Sequence, residues 1–193
     1  MTSPSRSIML SFLGLAVAFL PVGWIGSGEE PNRCSERNNG AAVSEAISKR
    51  GAPTVLKECF SDDQSWEGLL NGVGSGDSGW LRVAKQIQGT LDAGAARDLQ
   101  MAVGRALERN PTGVLLLLKD GFSGVGAVCG LSGIEDDLPE HFEEAQRTVK
   151  KRRATVKGVA AADLQARKRE CVEWLDRLEA EMRKNRERWF VPR

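Results

Sequence analysis

The 193-residue chain has no tyrosine, one histidine and only 6% aromatic residues. That scarcity argues against a histidine-based metal centre or catalytic triad, both of which need an imidazole with partners in reach. It also leaves few flat side chains for stacking sugars or bases. An excess of one charge is missing too: 27 basic against 26 acidic residues give a net charge of +1 and exclude a wholesale polyelectrolyte. What is present is ordinary for one globular domain, with 41% hydrophobic and 27% charged residues. A chain of this length buries roughly 70% of its unfolded surface.

Long apolar runs are confined to the first thirty residues. Arg6 is the only charge before Glu29, and Ile8–Ile25 between them is almost wholly apolar. A basic start, an apolar stretch and small residues beyond it describe a secretory signal peptide over residues 1–28. Ala16-Val17-Ala18 and Gly26-Ser27-Gly28 offer cleavage points. The rival reading is an uncleaved anchor, since eighteen residues just span a bilayer, although Gly14, Pro21 and Gly23 weaken such a helix. Both readings carry the rest of the chain out of the cytoplasm, to the periplasm or beyond.

Four cysteines, Cys34, Cys59, Cys129 and Cys171, lie after that segment, and no two are close enough for a C-x-x-C redox or zinc pattern. An even number in an exported chain reads as disulfides. Of the three connectivities, Cys34–Cys59 with Cys129–Cys171 is favoured, because it joins neighbouring helices. Buried free thiols are the alternative.

From Glu29 the pattern is a polar, turn-rich lead-in to Gly40, then short helices with readable starts and stops. An Ala-rich helix over 41–49 stops at Gly51, and Pro53 suits the first turn of the next. Asp62, Asp77 and Asp92 are placed as helix caps before apolar stripes such as Trp66, Leu69, Leu70 and Val73. Asn110-Pro111 restarts the chain into Val114–Leu118, read as helix rather than buried strand because cap and proline precede it. In the last third, Phe142, Ala145, Val149, Arg152, Val156 and Val159 form one seam with a polar break at Arg152. Leu164, Lys168, Cys171, Leu175, Leu178 and Met182 form a second, one residue out of register. That mismatch predicts a break near 158–163 and a helical hairpin. The expected architecture is therefore all-α and disulfide-supported: an acidic multi-helix body of short helices over 41–137 and a basic C-terminal hairpin over 138–193.

The neutral total hides a division. Residues 29–144 carry net −8 and residues 145–193 net +8. Two readings follow: the basic arm folds over the acidic body, or it stays exposed for an acidic partner or anionic membrane. Lys150, Lys151, Arg152 and Arg153 form the densest basic run, and Trp174 and Trp189 add interfacial aromatics. The run lacks interleaved aromatics, and an exported chain rarely meets nucleic acid, so nucleic acid is not an expected partner.

Other motifs fail their context. Gly74–Gly79 satisfies G-x-G-x-x-G, but a helical stripe rather than a strand precedes it, so it reads as a linker. His141 reads as an exposed first-turn residue. Glu135, Asp136 and Asp137 lack calcium-loop spacing and suit the start of a helix. Glu58, Asp62 and Glu67 near Trp66 are the only carboxylates worth weighing for glycan hydrolysis. No residue emerges as catalytic, metal-binding or cofactor-binding.

Trp80-Leu-Arg-Val-Ala84, Asp92-Ala-Gly94, Leu99, Ala106-Leu107, Asn110-Pro111 and Val114-Leu115, followed by Val128-Cys129 and the late Cys171, resemble a group of uncharacterised exported proteins of proteobacteria. The likeness spans roughly residues 66–171 and rests on caps and core positions. It implies a shared fold, a shared bridge and a periplasmic location, without a substrate. The functional expectation is a non-enzymatic binding protein with an unidentified envelope partner. A carboxylate-dependent wall hydrolase and a membrane-tethered accessory protein are the alternatives.

Overall fold

A computed structural model describes residues 34–130 and 142–184. The N-terminal segment to residue 33, His141, the acidic 135–137 cluster and Trp189 lie outside those residues. Within them the chain is helical, with no strand.

The described part of the lead-in, from Cys34 to Gly40, is a turn that runs into the first helix. A 3-10 turn, Ser35–Asn38, runs into α1, Gly40–Arg50, and the Asn39 side chain caps that helix by accepting from the Ala41 and Ala42 amides. Asn39 thus satisfies donors that no earlier residue of a helix can reach. α2, Ala52–Cys59, follows with Pro53 in its first turn. Asp62 caps α3, Asp63–Gly74, and Asp77 caps α4, Ser78–Ile87. Asp92 caps α5, Ala93–Ala106, and Asn110 caps α6, Pro111–Lys119. The four caps expected from sequence all accept from backbone amides, at roughly 1 kcal/mol of helix stability apiece.

The Gly74–Gly79 segment links α3 to α4. Gly76, at φ 77°, takes the left-handed turn that a side chain resists. Gly79 serves a different need. α1 and α4 make the most extensive helix–helix contact, and their first turns meet backbone to backbone, Gly40 against Gly79 and Trp80. The Trp80 indole lies on Gly72 of α3, where a methyl group would stand 2.5 Å from the ring. Val43, Ile47, Leu69, Val73, Val83, Ile87, Leu99 and Val103 fill the core between these helices.

α7, Val125–Cys129, is a helix that the pattern did not predict. Five residues are too few to display a period. α8, Phe142–Lys157, and α9, Gln165–Lys184, form the expected hairpin, separated by Gly158 and a 3-10 turn at Ala162–Leu164. Their seams face inward: Ala145, Val149, Arg152, Val156 and Val159 from the first, and Leu164, Cys171, Leu175 and Met182 from the second, are buried.

Both expected disulfides form. Cys34–Cys59 has a Cα separation of 5.4 Å and ties the 3-10 turn to the end of α2. Cys129–Cys171 has 5.7 Å and bolts α7 to α9. By loop entropy each contributes about 3–4 kcal/mol.

Candidate functional site

The basic run is divided by helical geometry. Lys150 and Lys151 are exposed on α8, whereas Arg152 is 2% exposed and Arg153 half-buried. Arg152 is therefore enclosed by the fold, while Arg153 keeps part of its side chain at the surface. At 100° per residue, four consecutive positions span about 300° and cannot all share a face.

Arg152 fills the polar break of its seam. It donates through Nη1 to the Gly130 carbonyl at 2.5 Å, which anchors the end of α7. Its Nε lies 3.6 Å from the Glu108 carboxylate and makes no hydrogen bond. Burial pulls this guanidinium below the usual arginine range; Glu108 opposes that shift, and the like charge of Arg105 reinforces it. Gly104 is required beside it, because a methyl there would sit 2.9 Å from the Val128 carbonyl.

Arg153 turns the other way, to Asp176 at 2.7 Å and Glu179 at 2.6 Å on α9. Those hydrogen bonds hold it above the usual arginine range, Asp176 contributing most. Glu179 is 4% exposed. Burial works to raise its carboxyl, and hydrogen bonds from Arg153 and Arg183 outweigh that and leave it lowered. The arm thus neutralises much of its charge internally. Toward the body the described ion pairs are few: Lys151 to Glu108 at 2.7 Å, Arg152 to Glu108, and Lys119 to Asp163 at 2.6 Å. Apolar seams and the Cys129–Cys171 bridge carry the docking.

Trp174 is 40% exposed yet partly seated. Its ring covers Gly126 and Gly130 of the α7 region, where methyl groups would stand 2.7 and 2.9 Å away, and Arg177 lies 5.0 Å from its centroid. The stripped backbone of α7 is what lets the indole in. It acts as a bolt on that helix.

Two concavities lie elsewhere. One, of about 270 Å³, is lined by Leu56, Phe60, Asp62, Trp66, Leu91 and Ala95, among others. Here the hydrolase candidates separate. Asp62 lines it, whereas Glu58 pairs with Arg50 at 2.9 Å and Glu67 is exposed outside the lining. Asp62 accepts from the Ser65 amide and hydroxyl, which lower its pKa. A general acid needs the opposite shift.

The second concavity, of about 320 Å³, runs between α4 and α6. Leu81, Leu116 and Leu117 give it an apolar wall, and Ser78, Arg82, Lys85, Asn110 and Asp120 rim it. Gly113 opens the wall, since a methyl there would meet Leu81 at 2.8 Å. Lys85 and Asp120 close one end with a 2.5 Å ion pair. Sequence reasoning passed over this groove, although a signal existed. Five consecutive apolar residues on a helix cannot all face inward, and Val114, Leu115, Leu117 and Leu118 are buried while Leu116 is left 46% exposed.

Among the described residues no group of three His, Cys, Asp or Glu side chains is placed to hold a metal ion. Nor is any helix among them long and apolar enough to cross a membrane. The chain matches no protein-family model, no curated protein and no solved structure.

Proposed function

We propose that the chain is an exported, disulfide-braced, non-enzymatic binding protein that engages an envelope protein through the α4–α6 groove. One observation carries the reading: Leu116, a large aliphatic side chain 46% exposed, borders a concavity walled by Leu81 and Leu117. Exposed leucines at a preformed apolar groove are the usual anchors for a partner's apolar side chains. Arg82 on the rim has no ion-pair partner among the described residues, so the favoured segment carries acidic residues beside its apolar anchors.

Export rests on the charge-poor, apolar start of the chain and on two disulfides. Retention of residues 8–25 would make the same protein a tethered accessory; the intact mass of the natural product distinguishes the two.

A photo-crosslinking side chain at Leu116 tests the groove, because that position is exposed and replacing it spares the core. The expected result is one envelope protein captured from Leu116, lost when Arg82→Glu is added, and not captured from an equivalent probe at Lys49 on α1. Equal capture from both positions refutes the groove. Reproducible clearing of peptidoglycan by the purified protein in a zymogram refutes the non-enzymatic reading.

A further inference from the structure

A third hollow, of about 220 Å³, lies where α5 meets α8 and is lined by Arg105, Glu108, Arg109 and Lys151. Its charge does not balance. Among the described residues Glu108 is the one carboxylate lining it, and it is shared between Lys151 at 2.7 Å and buried Arg152 at 3.6 Å. Arg109 spends one Nη1–H on the Gly74 carbonyl at the end of α3, at 2.6 Å. A helix C-terminus supplies only about half a negative charge, which leaves Arg105 and most of the Arg109 fork uncompensated. No ion-pair partner of Arg105 occurs among the described residues, and its side chain lies against Gly74, where a methyl would stand 3.2 Å from its Nε.

Three cations thus line the hollow beside one carboxylate, two of them planar guanidiniums with N–H groups left over. A fork of that kind matches the oxygens of a tetrahedral oxyanion and binds them by paired, charge-assisted hydrogen bonds. One water occupies about 30 Å³ of liquid, so the hollow has room for such an anion with part of its hydration shell.

We infer that this hollow is a phosphoryl-binding site, in which Arg105 and Arg109 grip the oxygens and Lys151 closes over them from α8. The group is either inorganic phosphate or the phosphate of a lipid headgroup. Occupancy ties the end of α5 to α8, body to arm, and adds to the pairing of Lys151 and Arg152 with Glu108 there. The site is separate from the α4–α6 groove, and neither proposal depends on the other.

The test follows thermal unfolding of the purified full chain as inorganic phosphate replaces chloride at constant ionic strength. In parallel, flotation with phosphatidylcholine vesicles, with and without phosphatidylglycerol, is carried out in phosphate-free buffer. Expected is a saturable response in one arm, weakened about ten- to hundredfold by Arg105→Gln, the loss of a charge-assisted hydrogen bond. Lys151→Gln, at an exposed position that leaves folding intact, weakens it in the same direction, and Lys49→Gln on α1 leaves it unchanged. Saturation with free phosphate identifies the soluble ligand; flotation only with phosphatidylglycerol identifies the headgroup. A response that never saturates, or one that Lys49→Gln reduces as much as Lys151→Gln does, overturns the site.

Discussion

Gly40 and Gly79 cross in direct backbone contact: a methyl group on Gly79 would lie 2.5 Å from the Ala41 amide nitrogen and 2.8 Å from the Gly40 carbonyl carbon. The opposing atoms are main chain, so no rotamer change relieves the clash. Gly79→Ala is expected to destabilise the protein by about 1–3 kcal/mol, the usual range for overpacking. Gly68→Ala on α3, where nothing stands within 4 Å, is expected to add about 0.5–1 kcal/mol through helix propensity. Urea unfolding of the two variants decides it, and effects of the same sign would refute the argument.

Arg152 and Glu108 should behave as a coupled pair. Glu108→Ala leaves a buried guanidinium without its carboxylate, at a cost of about 2–3 kcal/mol, the low side for buried pairs because the Glu108 side chain is 21% exposed. Adding Arg152→Met should then cost less than it does alone, with a coupling above about 1 kcal/mol in a double-mutant cycle. Strict additivity would show that the pair does not interact.

Acid sensitivity is expected from Glu179. Its folded pKa is lowered, so its contribution is fully present above the unfolded value of about 4.3 and is lost as pH falls through the folded value. Asp62 and Asp163 are lowered too, by Ser65 and by Lys119 respectively, and act in the same direction. The thermal midpoint should fall below about pH 4. Glu179→Gln should flatten that fall while lowering stability at neutral pH, where Arg153 and Arg183 lose the shared carboxylate that accepts from both.

Reduction should act first on α7, which has only five residues and leans on the Cys129–Cys171 bridge. The double replacement Cys129→Ser, Cys171→Ser should cost about 4 kcal/mol by loop entropy. It should also expose Trp174, read as a red shift in the emission difference between each protein and its Trp174→Phe variant. An unchanged difference spectrum would mean that packing alone holds α7 against the indole.

Much of this architecture was readable before any coordinates. Asp62, Asp77, Asp92 and Asn110 announce helices because a short polar side chain before an apolar stripe has one efficient use, and all four cap. The register slip between the seams of α8 and α9 marked the hairpin, since one straight helix cannot turn its apolar face. The 3-10 turn after Cys34 and the helix α7 were not readable, because neither is long enough to show a period. The groove was legible only as a surplus leucine.

By itself the sequence determined a helical chain, its caps and its opposed charges, since each follows from local backbone chemistry or from spacing along one helix. The pairing of the four cysteines, only favoured from sequence, was settled by the fold. Tertiary structure alone decided which charges are spent. It buried Arg152 and Glu179, left Leu116 outside, and gathered Arg105, Arg109 and Lys151 around one carboxylate. Those outcomes depend on how helices far apart in the chain are rotated against one another, and spacing along a single helix carries no information about its neighbour.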